Sequence, residues 1–317
     1  MVIQAPRACT RLAAVRAMIF IRDVALTSAA APPPVRCREI VEADLPALAD
    51  LLFEGFGGRR KRSYWTRALD VLRTRRAAEG YPRYGYVLDA GGTLVGVVLL
   101  IFTAIDEAEA RSVRCNVSSW YVREAFRPSA AFLIARALRH KEVSYINVSA
   151  APHTWATVEA QGYRRYGEGQ VTCLPALSRG PGSAAAYSPD LHRDRLPPAE
   201  AELMAAHAAV GCLCLVVEHE GRLEPFVFMR RRLRHRVPVH GLQLAWCRDT
   251  AAFVRCAGAL GRRLLRRGEL VVLLDAEAPP AGLVGVHERG RCPKFVRGPH
   301  TPRLNDLAYT EGALFGG

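Results

Sequence analysis

One pattern occurs twice in this chain, and no other feature constrains its fold as strongly. The first copy runs from Trp120 through an apolar, helix-forming stretch to Glu142-Val143-Ser144-Tyr145-Ile146-Asn147, reaches Pro152 and ends at Gly162. The second runs from Trp246 through a similar stretch to Glu269-Leu270-Val271-Val272-Leu273-Leu274-Asp275, reaches Pro280 and ends at Gly290. Asn147 to Gly162 and Asp275 to Gly290 are both 15 positions. Half-chains with one order of strands and helices read as two copies of one unit, a signal that outranks local propensity. A length of 317 residues suits two such units. The expected division is an N-terminal extension over 1–34, disordered or the product of an upstream start, a first domain over 35–175, a linker over 176–199, and a diverged second domain with its tail over 200–317. The linker is marked by Pro175, Gly180, Pro181, Gly182, Pro189, Pro197 and Pro198, with no apolar period between them.

Local signals fill in the units. Asp44 precedes Leu45, Leu48, Leu51, Leu52 and Phe56, the spacing of a helix, with Pro46 in its first turn. Gly91-Gly92 marks a hairpin between Tyr86–Ala90 and Thr93–Ala104, and the second of these strands is so apolar that it belongs in the middle of a sheet. Further strands are expected over Val113–Val122, Glu142–Val148 and Tyr163–Leu174, with helices over Pro128–His140 and Pro152–Gln161. In the second half, a hairpin at Glu220-Gly221 precedes strands over Leu242–Cys247 and Leu270–Asp275, which flank a helix over Thr250–Arg267. A helix is expected over Pro280–Glu288 and an extended segment over Lys294–Arg297. Gly298 onward has no clear period. Helices that alternate with strands after an antiparallel meander predict an α/β fold, of the α+β type with a mixed sheet.

The formal charge is +14, from 44 basic and 30 acidic residues, and only Lys61, Lys141 and Lys294 are lysines. An excess of this size predicts an anionic partner. Nucleic acid is disfavoured, since no recognised nucleic-acid module is present. Nine scattered cysteines with no CxxC pair read as reduced thiols in a cytoplasmic protein, and no His, Cys or carboxylate cluster predicts a metal. No run of about 18 apolar residues predicts a membrane span. Nucleophile-elbow, phosphate-loop, dinucleotide and zinc-protease motifs are absent.

The stretch Arg38–Leu48 resembles the opening of the GNAT superfamily of N-acetyltransferases, and Tyr86–Leu100 resembles its central hairpin. Trp120–Arg127 is similar to the strand that leads into the family's pyrophosphate loop. His153–Tyr166 is similar to the helix and Gly-aromatic step that follow. The likeness covers about 35–175, and about 200–298 resembles a diverged second core, so the whole resembles the two-copy acyltransferases. The resemblance implies a GNAT-like acyl-CoA N-acyltransferase fold in tandem. It also implies acetyl-CoA or another acyl-CoA as cosubstrate, an amine acceptor and no metal. Two strands would splay so that pantetheine enters between them, and the start of a helix would hold pyrophosphate, because its first N–H groups are unpaired and its dipole is positive there.

By this resemblance Tyr121, Val122, Arg127, Ser129, Ala130, Ala131 and Asn147 line the cofactor, and Glu54, in the region that approaches the acceptor, and His153, as a base, are the candidate catalytic residues. Two departures stand out. The loop reads Arg127-Pro128-Ser129-Ala130-Ala131-Phe132, without the family's glycines, and Val158 stands where the family carries a tyrosine acid. These departures support an alternative reading, a non-catalytic GNAT-like scaffold that binds protein or an anionic ligand.

Overall fold

The apolar third strand lies inside a sheet, as its composition requires. In the computed structural model, which describes residues 34–57, 60–107, 110–180, 182–234 and 238–316, β1 (Val35–Glu39) leads through a short 3-10 turn into α1 (Leu45–Phe56) and then α2 (Arg62–Thr74). A meander follows: β2 (Gly85–Ala90), β3 (Thr93–Glu107) and β4 (Ala110–Val122). Gly91 and Gly92 take φ of 62° and 90°, the left-handed turn that two consecutive glycines permit. A 3-10 segment and α3 (Ala130–Ala137) cross over to β5 (Ser144–Asn147), which is parallel to β4. Then come α4 (Trp155–Ala160) and β6 (Arg164–Cys173).

The stretch 176–199, expected as a linker, carries β7 (Ser183–Ala186), α5 (Pro189–His192) and the start of α6 (Pro198–Ala209). Its apolar period is too short to see, because β7 is a four-residue edge strand that pairs only with the next one. The chain continues through β8 (Leu213–His219), β9 (Arg222–Arg234), β10 (Pro238–Trp246), α7 (Thr250–Leu265) and β11 (Val272–Asp275). The helix expected over 280–288 does not form. Val284, Val286 and His287 instead belong to the extended approach and body of β12 (Gly285–Arg297), whose first residues pair with Cys173–Gly169. Backbone contact is so close there that a Cβ on Gly285 would lie 2.5 Å from the Thr172 carbonyl. Tertiary pairing overrides the helical spacing. The tail ends in α8 (Glu311–Phe315), and Leu307, Ala308, Ala313, Leu314 and Phe315 are all buried in it.

The strands form one sheet in the order β1-β2-β3-β4-β5-β12-β6-β11-β10-β9-β8-β7. Read from either end, the order gives the same succession of half-chain positions. At its centre the last strands interleave: β12 lies between β5 and β6, while β6 lies between β12 and β11. The two parallel contacts, β4 with β5 and β10 with β11, occupy matching places. One face of the first half packs α1, α2 and α8 through Leu48, Trp65, Leu69, Val97, Leu99, Ile101, Leu314 and Phe315. The other packs α3 and α4 through Leu88, Leu100, Phe102, Leu133, Tyr145, Val158 and Phe295. Fully burying each such side chain is worth roughly 1.5–3 kcal/mol.

Candidate active site: a split between two parallel strands

β4 and β5 pair at only three positions, Arg114 with Ser144, Cys115 with Tyr145 and Asn116 with Ile146. Beyond Asn116, β4 continues to Val122 against β3 alone, so a slot opens on its β5 side. The cause is local. Between Leu99/Ser118 and Val97/Tyr121 the β4 register slips by one residue, and Ser119 takes φ 47°. A bulge of this kind bends and twists its strand, and the left-handed region is uncommon for a residue other than glycine. Strand β5 itself ends one residue past the last pair, at Asn147.

The far wall of the slot is braced by its own turn. Trp155 Nε1 donates to the Ala150 carbonyl at 3.0 Å, and Thr154 Oγ1 donates to the Ala151 carbonyl at 2.7 Å. The mouth is set by connectivity. The chain leaves β4 at Val122 and passes through one 3-10 segment, and α3 begins at the open end of the slot. At the closed end, Asn116 Nδ2 reaches the Ile146 carbonyl, while Asn116 Oδ1 accepts from the Glu311 backbone N–H at 2.8 Å. Ser149 Oγ donates to the Glu311 carboxylate, whose second oxygen is buried without a hydrogen-bond partner among the described residues. Burial pushes the Glu311 carboxyl above its usual range, against the pull of Ser149, its own backbone N–H and the charge of Arg231.

No protein-family model and no curated protein sequence matches the chain. Solved structures do. A putative acetyltransferase from Pyrococcus horikoshii superposes with a TM-score of 0.54 at 11% identity, over 87% of this chain and 93% of its own. A probable N-acyltransferase from Enterococcus faecalis gives 0.54 at 11%, over 87% and 74%. A GCN5-related N-acetyltransferase from Kribbella flavida gives 0.53 at 15%, over 83% and 71%. The chain has the GCN5-related N-acetyltransferase fold.

Within the GCN5-related fold, the candidate residues read from the sequence divide into three groups. Arg127, Ser129, Ala130 and Ala131 are gathered at the start of α3. Arg127 is exposed there, with Glu124 3.7 Å away as its ion-pair partner. Ser129 occupies the helix N-cap without a side-chain capping bond. Phe132 points outward, 57% exposed, and does not fill the slot.

Tyr121 and Glu54 come together on the opposite face. Tyr121 Oη donates to Glu54 at 3.0 Å, and Arg123 holds the same carboxylate with its Nε at 3.1 Å and Nη2 at 2.8 Å. Arg123 thereby draws the Glu54 carboxyl below its usual range, helped by Tyr121. The three residues clamp α1 to the end of β4. The clamp is close enough that a Cβ on Gly55 would lie 2.4 Å from the Tyr121 ring. Val122 packs instead on the α3 face.

Asn147 and His153 line the turn after β5. Asn147 Oδ1 accepts from the Ser149 N–H, closing a local turn. His153 is exposed in the 3-10 segment before α4. Sequence reading did not single out Asn116, Ser149 or Glu311. No motif marks them, and Glu311 reaches β4 from 195 residues away in sequence.

The second half of the GCN5-related fold repeats the split but not the slot. β10 and β11 pair only at Leu242/Val272 and Gln243/Leu273, and the β10 register slips between Leu244 and Trp246. The space beyond is filled by the tail. The Leu307 N–H donates to the Ala245 carbonyl at 2.7 Å, and Asp306 bridges to Trp246. Asn305, fully buried with φ 61°, accepts from the Asp275 N–H and donates to the Asp275 carbonyl and to Thr250 Oγ1. The Asp275 carboxylate is itself held by buried Lys294 at 2.6 Å. Among the described residues there are no disulfides, no cluster able to hold a metal, and no helix long and apolar enough to cross a membrane.

Proposed function

We propose that the protein transfers an acyl group, most simply acetyl, from acyl-CoA to an amine, using the slot between β4 and β5. The observation that carries this reading is the β4 bulge at Ser119, which frees one edge of a strand beside a helix start. A thioester carbonyl laid along that edge meets backbone N–H groups, which stabilise the oxyanion as the amine attacks. Phosphates at the mouth meet the first amides of α3 and the Arg127 side chain, with Ser129, Ala130 and Ala131 as the lining. Tyr121 and Val122 form the near wall and Asn147 the far one. The solved structures of this fold described as acetyltransferases support the same chemistry.

An attacking ammonium must lose a proton. Glu311 is the group we assign to take it, since its unpartnered oxygen sits at the closed end of the slot and burial raises its carboxyl, which makes it a stronger base than an exposed carboxylate. Of the candidates read from sequence, Glu54 serves to hold Tyr121 and Arg123, and His153 remains as a secondary acceptor on the exposed wall. We propose also that the halves are two copies of one unit, of which the second is closed by Asn305–Leu307 and acts as a scaffold.

The test is calorimetric titration with acetyl-CoA and longer acyl-CoAs. Saturable binding that Arg127→Glu weakens supports the reading, and no heat at millimolar ligand sinks it. The missing glycines at Ala130 and Phe132 favour one rival, a scaffold without acyl-CoA, and that rival requires Arg127→Glu to change nothing.

A further inference from the structure

A second cavity, of about 480 Å³, lies away from the slot, between the end of β3, the segment after α2, α6 and the tail. Its volume falls in the range of small-molecule sites. The walls mix charged side chains, Glu79 at the rim among them, with an apolar and partly aromatic part: Ala78, Ile105, Leu203, Trp246 and Tyr309. The charged lining is unevenly matched. Arg114 is paired with Asp306, Glu200 with Arg248 and Arg76 with Glu202. Arg75 is different. Its Nη atoms donate to the Phe102 carbonyl and to Thr103 Oγ1, its Nε is buried without a partner, and no carboxylate among the described side chains pairs with it. Arg303, at the rim, donates among the described residues to the carbonyls of Cys247 and Arg248. A half-buried guanidinium left with neutral partners, its Nε out of reach of water, is costly to maintain unless an anion completes it.

We propose that this cavity binds a small organic anion with a flat apolar body, its charged head on Arg75 and its body between Trp246, Tyr309 and Leu203. The head is a carboxylate or a phosphate, since either presents paired oxygens to a guanidinium fork. Occupancy of this cavity needs no acyl-CoA in the slot. It adjoins the tail, because Asp306, Ala308 and Tyr309 all line it, so an occupant braces the segment that carries Glu311.

The test uses 2-naphthoate, 2-naphthyl phosphate and neutral 2-naphthamide with the full-length protein, followed by thermal shift and tryptophan fluorescence. One or both anions should bind saturably and raise the melting temperature, and the amide should not. The stronger of the two anions identifies the head group. Arg75→Met should weaken the anion by roughly 10- to 100-fold, the worth of one charge-assisted bond. Leu203→Trp fills the cavity from α6 without touching Arg75, and should abolish binding while leaving the protein folded. Equal binding of amide and anion, unchanged affinity in Leu203→Trp, or no saturable binding of any probe to the wild-type protein at millimolar concentration would overturn the proposal.

Discussion

Arg114 and Asp306 form a buried ion pair across 192 residues of sequence, with Nη1 2.8 Å and Nη2 3.2 Å from the two carboxylate oxygens. The same guanidinium donates to the Ala308 carbonyl at 3.0 Å. Burial alone pushes the Asp306 carboxyl up, but Arg114 holds it below its usual range. The pair fixes where the tail leaves the closed split of the second half and turns toward the open one. Asp306→Asn should cost about 3–5 kcal/mol, because it strands a buried cation. Urea unfolding will read this as a lower midpoint at constant slope. The double variant Arg114→Met with Asp306→Leu should recover much of the loss, and failure to recover would show that other partners of Arg114 dominate.

His207 makes the fold sensitive to acid. It is fully buried, its Nδ1 donates to the Leu203 carbonyl at 2.8 Å, and its Nε2 accepts from the Tyr309 N–H at 3.0 Å. A protonated ring cannot accept that bond. Burial accordingly depresses its pKa from 6.5 to about 4. The unfolded chain binds the proton first as pH falls, so stability present above pH 6.5 drains away down to about pH 4. The full loss is about 3 kcal/mol. Melting curves from pH 7 to pH 4 should show this slope, and His207→Gln should flatten it.

Asn305 is the residue that shuts the second split. It makes three hydrogen bonds in a left-handed conformation. Asn305→Ala should destabilise by about 2–4 kcal/mol, through unpaired groups at Asp275 and backbone strain. Hydrogen exchange should localise the loss to the Asp275 amide and the Leu307 amide. Protection unchanged at both would remove the plug from the account.

Glu311→Gln separates binding from proton transfer. The variant should bind acyl-CoA as the wild type does. It should lose roughly 10²–10⁴-fold in turnover at neutral pH, the usual worth of a general base. Activity should return as pH rises toward the free-amine form of the acceptor. The raised carboxyl also means that burying its charge costs stability at neutral pH, a cost absent at pH below its unfolded value. Glu311→Gln should therefore melt no lower than the wild type. Full turnover in the variant would leave the base unassigned.

Gly55→Ala tests the clamp between α1 and the end of β4. The added methyl meets the Tyr121 ring at 2.4 Å. Overpacking of this kind costs about 1–3 kcal/mol and should part Tyr121 from Glu54. The readout is a lower melting temperature together with weaker acyl-CoA binding. Weaker binding without a stability change would point to a direct contact instead.

The amino-acid sequence carried the local structure well. The hairpin at Gly91-Gly92, the central β3 and the helix after Asp44 all follow from turn chemistry and apolar spacing, and the structure has each. The start of α3 and the ends of β4 and β5, where Tyr121 and Asn147 lie, were legible because they adjoin predicted strands. Illegible features depend on pairs distant in sequence. The expected helix at 280–288 gives way to β12, whose register is set by β6 more than a hundred residues earlier. The tail after Gly298 looks aperiodic because its buried residues are spaced by individual partners: Asn305 by Asp275, Asp306 by Arg114, Glu311 by Asn116. The expected extension over residues 1–34 falls, except for Pro34, outside the described residues.

The interleaving of β5, β12, β6 and β11 has a consequence for how this protein is made. When residue 175 leaves the ribosome, β5 and β6 have no strand to lie between them, and both expose bare hydrogen-bonding edges. Those edges are covered only once residues 285–297 have been synthesised. For more than a hundred residues of translation the nascent chain is therefore sticky, and either half expressed alone should aggregate unless the other is supplied alongside it.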